Sequence, residues 1–161
     1  MLSADELYMR FYDRLEGDSP FLYHEVASVG FLASSAAMAG YLPMNEYDVF
    51  KKGKLDKRYK ERGRADLWFD AGDRCYSFEF KRTRRPVTMG YLEDRLNSAL
   101  EDINCIYSEE YHYAAACLVT VATEPKRIAV CQDFGRSRLV DFAYQIGPVE
   151  EPAFLFFRLK V

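Results

Sequence analysis

The chain has little of what several common chemistries need. Only two histidines, His24 and His112, occur among its 161 residues. Their sequence neighbours support no Ser-His-Asp or Cys-His arrangement of the kind that activates a nucleophile. The four cysteines, Cys75, Cys105, Cys117 and Cys131, include no C-x-x-C pair. That spacing argues against a structural zinc site and for reduced, mostly buried thiols in a cytoplasmic protein. No apolar run approaches the ~20 residues needed to span a bilayer, so no membrane is expected. The start, Met1-Leu2-Ser3-Ala4-Asp5-Glu6, is acidic early and lacks a signal-peptide core. No internal repeat, P-loop or low-complexity tract is present. What remains is 49% hydrophobic and 29% charged, which suits a single globular domain over residues 1–161 with a sizeable core.

Excess charge is also scarce, at a net −3, which argues mildly against a nucleic-acid binder. The distribution argues the other way. Residues 51–64 hold Lys51, Lys52, Lys54, Lys57, Arg58, Lys60, Arg62 and Arg64, and residues 81–85 add Lys81, Arg82, Arg84 and Arg85. Between them stand only two acids, Asp56 and Glu61. Local fields steer polyanions even when total charge is negative. The alternative is a solvated basic loop. Tyr59, inside it, either stacks on a base or packs alone.

Those basic stretches flank the most informative segment, residues 64–81, RADLWFDAGDRCYSFEFK. Two runs rich in aromatic and β-branched residues surround Asp70-Ala71-Gly72-Asp73, a hairpin signal. A two-residue turn at Gly72-Asp73 puts Asp66 opposite Glu79. Strand alternation puts Glu79 and Lys81 on one face and Phe78 and Phe80 on the other. Two carboxylates and an ammonium then share a patch of sheet. A hard divalent cation suits it, since Mg2+ takes oxygen ligands and few carboxylates. Lys81 would orient or help deprotonate a water in metal-assisted phosphodiester hydrolysis. The bland alternative is an exposed amphipathic hairpin with a cross-strand ion pair.

Asp66, twelve intervening residues, then Glu79-Phe80-Lys81 resembles the D-x(n)-ExK signature of the PD-(D/E)XK nuclease superfamily. Gly63-Arg64-Ala65-Asp66-Leu67 is similar to the GRxDL variant of its first half, with Ala65 where Pro is usual. The resemblance implies a restriction endonuclease-like α/β fold: an αβββαβ core with a mixed central sheet flanked by helices, here with an extra N-terminal helix and C-terminal strand. It implies Mg2+ or Mn2+ held by Asp66, Glu79 and the Phe80 carbonyl, with Lys81 positioning the attacking water. Glu25 matches, in chain order, an acidic residue on the helix before the sheet that binds a second metal or holds a metal water. Arg64, Arg82, Arg84, Arg85, Lys57, Arg58 and Lys60 would contact nucleic acid, DNA before RNA.

The remaining elements follow in order. Ser3 and Glu6 read as a capping box for a helix to about Leu15, with a Leu7-Phe11-Leu15 stripe, stopping at Gly17. Ser19-Pro20 opens a second helix to about Ala39, apolar almost all round and so buried. Glu25 lies on its apolar face and needs a partner there, from the superfamily site or from the helix dipole and His24. His24 reads as a surface or supporting residue. Glu46–Phe50 reads as a short strand, followed by a basic loop or strand extension. Leu92, Leu96, Ala99, Leu100, Ile103 and Ile106 keep helical spacing, with Asp102 where related sequences carry Gln. Ala114–Ala122 reads as a buried strand. Residues 127–131 are strand or helix, and 137–144 are helical. Phe154–Val161 is a strand with Leu155, Phe157, Leu159 and Val161 inward, an aromatic edge suited to a dimer contact.

Three functions fit: a metal-dependent endo- or exonuclease; an inactive nuclease-fold module binding nucleic acid or a protein partner in a defence, replication or mobile-element complex; and a structural oligomer in which the hairpin charges form a network.

Overall fold

The computed structural model describes residues 2–53, 58–83 and 87–160. The chain is mixed α/β, and the described residues form four α-helices and a six-stranded mixed sheet. In order these are α1 (Leu2–Arg14), α2 (Glu25–Met38), β1 (Leu42–Lys52), β2 (Lys60–Asp70), β3 (Cys75–Arg82), α3 (Met89–Cys105), β4 (Tyr113–Val121), α4 (Pro125–Gly135), β5 (Phe142–Ile146) and β6 (Ala153–Leu159). The strands lie side by side as β1-β2-β3-β4-β6-β5. Only β3 and β4 run parallel, joined through α3; the other neighbours are antiparallel.

Two apolar cores form, one on each face. Leu92, Leu96, Ala99 and Ile103 of α3 and Phe134 of α4 pack on Ala116, Leu118 and Phe156. Tyr8 of α1 and Val29, Phe31 and Leu32 of α2 pack on Phe80, Val119 and Leu155. β4 is buried on both faces, as its unbroken apolar run requires.

Several expectations are corrected. Helix α1 already includes Leu2, so Ser3 lies within it rather than capping it. Its buried face is Ala4 and Tyr8, while Phe11 and Leu15 are exposed. Tyr8 turns inward because its ring stacks on Phe21 and meets Phe31 edge to face. Helix α2 begins at Glu25, capped by His24, whose side chain accepts from the Ala27 N–H; Ser19-Pro20 forms a turn before it. Nor is α2 buried all round, since Val26 and Met38 are exposed. The expected short strand is the long β1, and residues 60–64 extend β2 in a second hairpin. Residues 142–146 form β5, not a helix. That strand covers β6, so β6 is paired on both sides and is no edge. Phe154 and Phe156 are as buried as Leu155, whereas Leu159 is exposed.

Candidate active site

The β2–β3 hairpin sets the first two acids. Its ladder runs from Asp70↔Cys75 to Leu67↔Phe78, a register that brings Asp66 level with Glu79. The Ala71 N–H donates to the Arg74 carbonyl and closes the turn around Gly72 and Asp73, in the register expected of a two-residue turn there. Gly72 takes φ +90° and donates its N–H to Asp70 Oδ1, a conformation that favours glycine. Beyond Leu67 the ladder gives way to a side-chain bond: Asp66 Oδ2 accepts the Phe80 N–H at 2.6 Å. On its other side, β1 presents Glu46 with φ +49°. Ala65 packs in the α3–α4 core and Leu67 in the α1–α2 core. Strict alternation would put both on one face. The strand therefore turns at Asp66, which aims its carboxylate at the gap between β2 and β3.

Glu79 is buried, at 3% exposure, and Oε1 accepts from Lys51 Nζ at 2.7 Å. Burial, then the Asp66 charge, pushes its carboxyl up to about 7 against the opposing pull of Lys51. Asp66 is raised by burial too, partly offset by the Phe80 N–H and Lys81. Glu46 adds to the rise of Asp66, and Asp66 adds to that of Glu79, so a half-buried and a buried carboxylate form a strong locus for a cation.

Lys81 Nζ stands 2.6 Å from Asp102 Oδ2. Burial alone would lower Lys81, but Asp102, Glu25 and Asp66 outweigh it and hold the ammonium above its ordinary value. Glu25, at the start of α2, accepts the Arg82 N–H at 3.1 Å and lies 4.0 Å from Arg95 Nη2. Its carboxyl is raised by burial, with Lys81 opposing and Asp66 adding to the rise. Arg95 and Asp102, seven residues apart, lie about two turns apart on one side of α3. Their i, i+7 spacing was the available sequence signal for them. Lys51 had none.

The expected nucleic-acid residues are placed unevenly. Arg64 is exposed and pairs with Glu46 at 3.4 Å. Lys60 pairs with Glu109 at 3.3 Å and sits over the Tyr107 ring. Arg58 and Tyr59 are exposed in the β1–β2 connection. Arg82 is directed inward: its guanidinium donates to the carbonyls of Phe21, Leu22 and Tyr23, each at 2.7 Å. It clamps the segment before α2 to the end of β3 and is not a free phosphate contact. Lys57, Arg84 and Arg85 lie outside the described residues.

Among the described residues, no group of three or more His, Cys, Asp or Glu side chains converges as a metal cage. The buried Glu79 and half-buried Asp66 carboxylates, with a backbone carbonyl, nevertheless fit Mg2+ or Mn2+, which keep several waters. One Cys-His pair does meet: Cys75 Sγ lies 3.1 Å from His112 Nδ1. The same Nδ1 accepts the Cys75 N–H at 3.1 Å, which weakens it as a base, so the pair ties the start of β3 to the segment before β4. The four thiols are free, with only Cys117 and Cys131 buried. A groove of about 730 Å3 on the α2 face, floored by Phe69, Tyr76, Phe78 and Phe157, is almost wholly apolar and excludes the carboxylates. No described helix is long and apolar enough to cross a membrane. No protein-family model matches the chain, and no curated protein or solved structure matches it significantly.

Proposed function

We propose that the chain is a divalent-metal-dependent nuclease of the PD-(D/E)XK class, built on a restriction endonuclease-like core and hydrolysing phosphodiester bonds of nucleic acid, DNA being the first substrate to test. The observation that carries this reading is the convergence of Asp66, Glu79, Lys81 and Glu25 at the end of β3, where burial raises all three carboxyls and the Asp66 charge adds to the rise of Glu79 and Glu25. The succession α2-β1-β2-β3-α3-β4 supports it, since it follows the αβββαβ order of the resemblance.

In this reading Asp66, Glu79 and the Phe80 carbonyl hold Mg2+ or Mn2+, with Glu25 as a further acidic ligand or water holder. The ion supplies polarisation of the phosphate and an easily ionised water. Lys81, kept protonated by three carboxylates, acts as a fixed cation that orients the attacking water and offsets phosphate charge. Its bond to Asp102 holds the ammonium in one place, so little reorganisation is needed as charge develops. Arg95, beside Glu25, and the exposed Arg64 supply further positive charge for the phosphates on either side.

Cleavage of single- and double-stranded DNA with Mg2+ or Mn2+ tests the reading, with Lys81→Ala as the variant. We expect it to keep the wild-type circular dichroism and to lose cleavage by at least about a hundredfold, the usual effect of removing one charge-stabilising group. Retained activity in folded Lys81→Ala refutes this mechanism. A second reading, a silent module binding nucleic acid or a protein, draws on the ion pairs that already satisfy Glu79 and Lys81. Calorimetric Mn2+ titration of wild type and Asp66→Ala separates the two, because a pure binder has no need of the ion.

A further inference from the structure

Lys51 has no part in the chemistry just described, yet its Nζ stands 2.7 Å from Glu79 Oε1. It reaches that acid from β1, two strands away, where its own backbone partner is Glu61. We propose that Lys51 is a built-in counter-ion that occupies the cation position of Glu79 when no metal is bound, so that a divalent ion enters only as the ammonium withdraws across Gly63. The inference rests on the metal-site reading above.

Gly63 makes the reach possible. A Cβ at this position would lie 3.0 Å from Lys51 Cδ, 3.3 Å from Cγ and 3.6 Å from Cε. The glycines at positive φ are 17, 40, 72 and 147. Backbone conformation therefore does not require glycine at 63; the glycine instead lets the lysine stem cross closely, where an added Cβ would push the stem aside by a few tenths of an ångström. The base of that stem is fixed. Lys51 bridges to Ile106, and Phe50 next to it accepts the Tyr107 N–H at 3.2 Å, so the end of β1 is tied to the end of α3.

The two partners differ in their access to water. The Glu79 side chain is 4% exposed, whereas that of Lys51 is 23% exposed. Lys51 can therefore move its charge towards solvent along its flexible stem, while Glu79 cannot leave. A buried carboxylate left without a cation is costly. The ammonium supplies one in the metal-free state without filling a metal's coordination sphere. Its lowest-cost replacement is another cation, which explains how a buried pair of acids survives unloaded and still remains open to exchange. Lys81 does not compete in the same way, because its ammonium is engaged by Asp102.

The test is calorimetric titration of Mn2+ alone at pH 8 into the full chain, with thermal melts as a fold control. The proteins are wild type, Lys51→Met, Gly63→Ala and Lys52→Met. Lys52→Met removes the same charge from the neighbouring, exposed position. Gly63→Ala keeps every charge and displaces only the stem, so it stands in should Lys51→Met fail to fold. We expect Lys51→Met to bind about tenfold to a hundredfold more tightly than wild type, the span of one charge-assisted hydrogen bond. Gly63→Ala should shift the same way, and Lys52→Met should stay near wild type. Equal affinity in Lys51→Met, Gly63→Ala and wild type overturns the counter-ion role and leaves the metal site standing. Binding in none of the four overturns the metal site and the counter-ion role together.

Discussion

Glu79→Gln should make this protein more stable at alkaline pH. The Glu79 carboxyl sits at about 7 in the folded chain against 4.5 ordinarily. A folded-state value above the unfolded one means that the native protein binds the proton more tightly. Its stability from this group is therefore complete below pH 4.5, falls between 4.5 and about 7, and is flat above. The whole fall is about 3 kcal/mol, at 1.36 kcal/mol for each unit between the two values. Glutamine resembles the protonated acid in size and polarity and never incurs the loss. Its amide also leaves Lys51 able to reach water, so no buried charge is stranded. We expect Glu79→Gln to exceed wild type by about 2–3 kcal/mol at pH 8 and by about 1 kcal/mol or less at pH 5. For a chain of this length, that is a Tm difference of roughly 5–10 °C at pH 8. Urea and thermal unfolding in the presence of a chelator measure both. A difference independent of pH, or a variant less stable than wild type at pH 8, would refute the electrostatic account of the site.

Substitutions at three other positions probe the frame that carries the site. Arg82→Ala removes three bonds to the carbonyls of residues 21–23 and should cost about 2–4 kcal/mol in urea unfolding, with Arg82→Lys recovering less than half because an ammonium cannot span three carbonyls as the planar fork does. Gly147→Ala combines a φ of +84° with a Cβ placed 2.4 Å from Tyr8 Cε1, so thermal melts should show a loss above about 2 kcal/mol. Gly90→Ala, where a Cβ meets nothing within 4 Å, should be neutral or stabilise by up to about 1 kcal/mol.

The hairpin was legible because several local signals agree. Gly72 marks the turn, and the aromatic runs on both sides fix the alternation. The Ala71–Arg74 bond closes around Gly72 and Asp73, and every pair of the ladder follows from it. The start of α2 was not legible. Ser19-Pro20 has the chemistry of a helix opening, but Arg82 takes the carbonyls of residues 21–23 from another part of the chain. Those carbonyls are then bonded outside any helix, and His24 becomes the cap. Residues 137–144 read as helical, yet β6 offers 142–146 a sheet partner, and tertiary pairing overrides local pattern. Asp66, Glu79, Lys81 and Glu25 were readable as motif positions. Lys51 was not, because it lies two strands from the acid it touches and its stem crosses the missing Cβ of Gly63 on the strand between.

The same comparison explains why the acids gather where they do. A regular antiparallel ladder would bond Ala65 and Phe80 backbone to backbone, leave Asp66 facing Glu79 as a non-bonded pair, and hold both of their side chains upright on one face. Here β1 carries a residue in the left-handed region, Glu46, level with Asp66. The strand turns there, Ala65 and Leu67 go to different cores, and the Asp66 side chain takes the N–H that a ladder partner would have had. The irregularity opens β2 from β3 beside a buried Glu79. Side chains from α2, α3 and β1 then converge on the opening: Glu25, Asp102 and Lys51 each meet a group of β3. An exposed ornamental ion-pair patch would need none of this, because surface pairs contribute little and tolerate loose geometry. A backbone turn that interrupts a sheet, buries two carboxylates and surrounds them with positioned cations has a stability cost that the Glu79→Gln experiment measures directly.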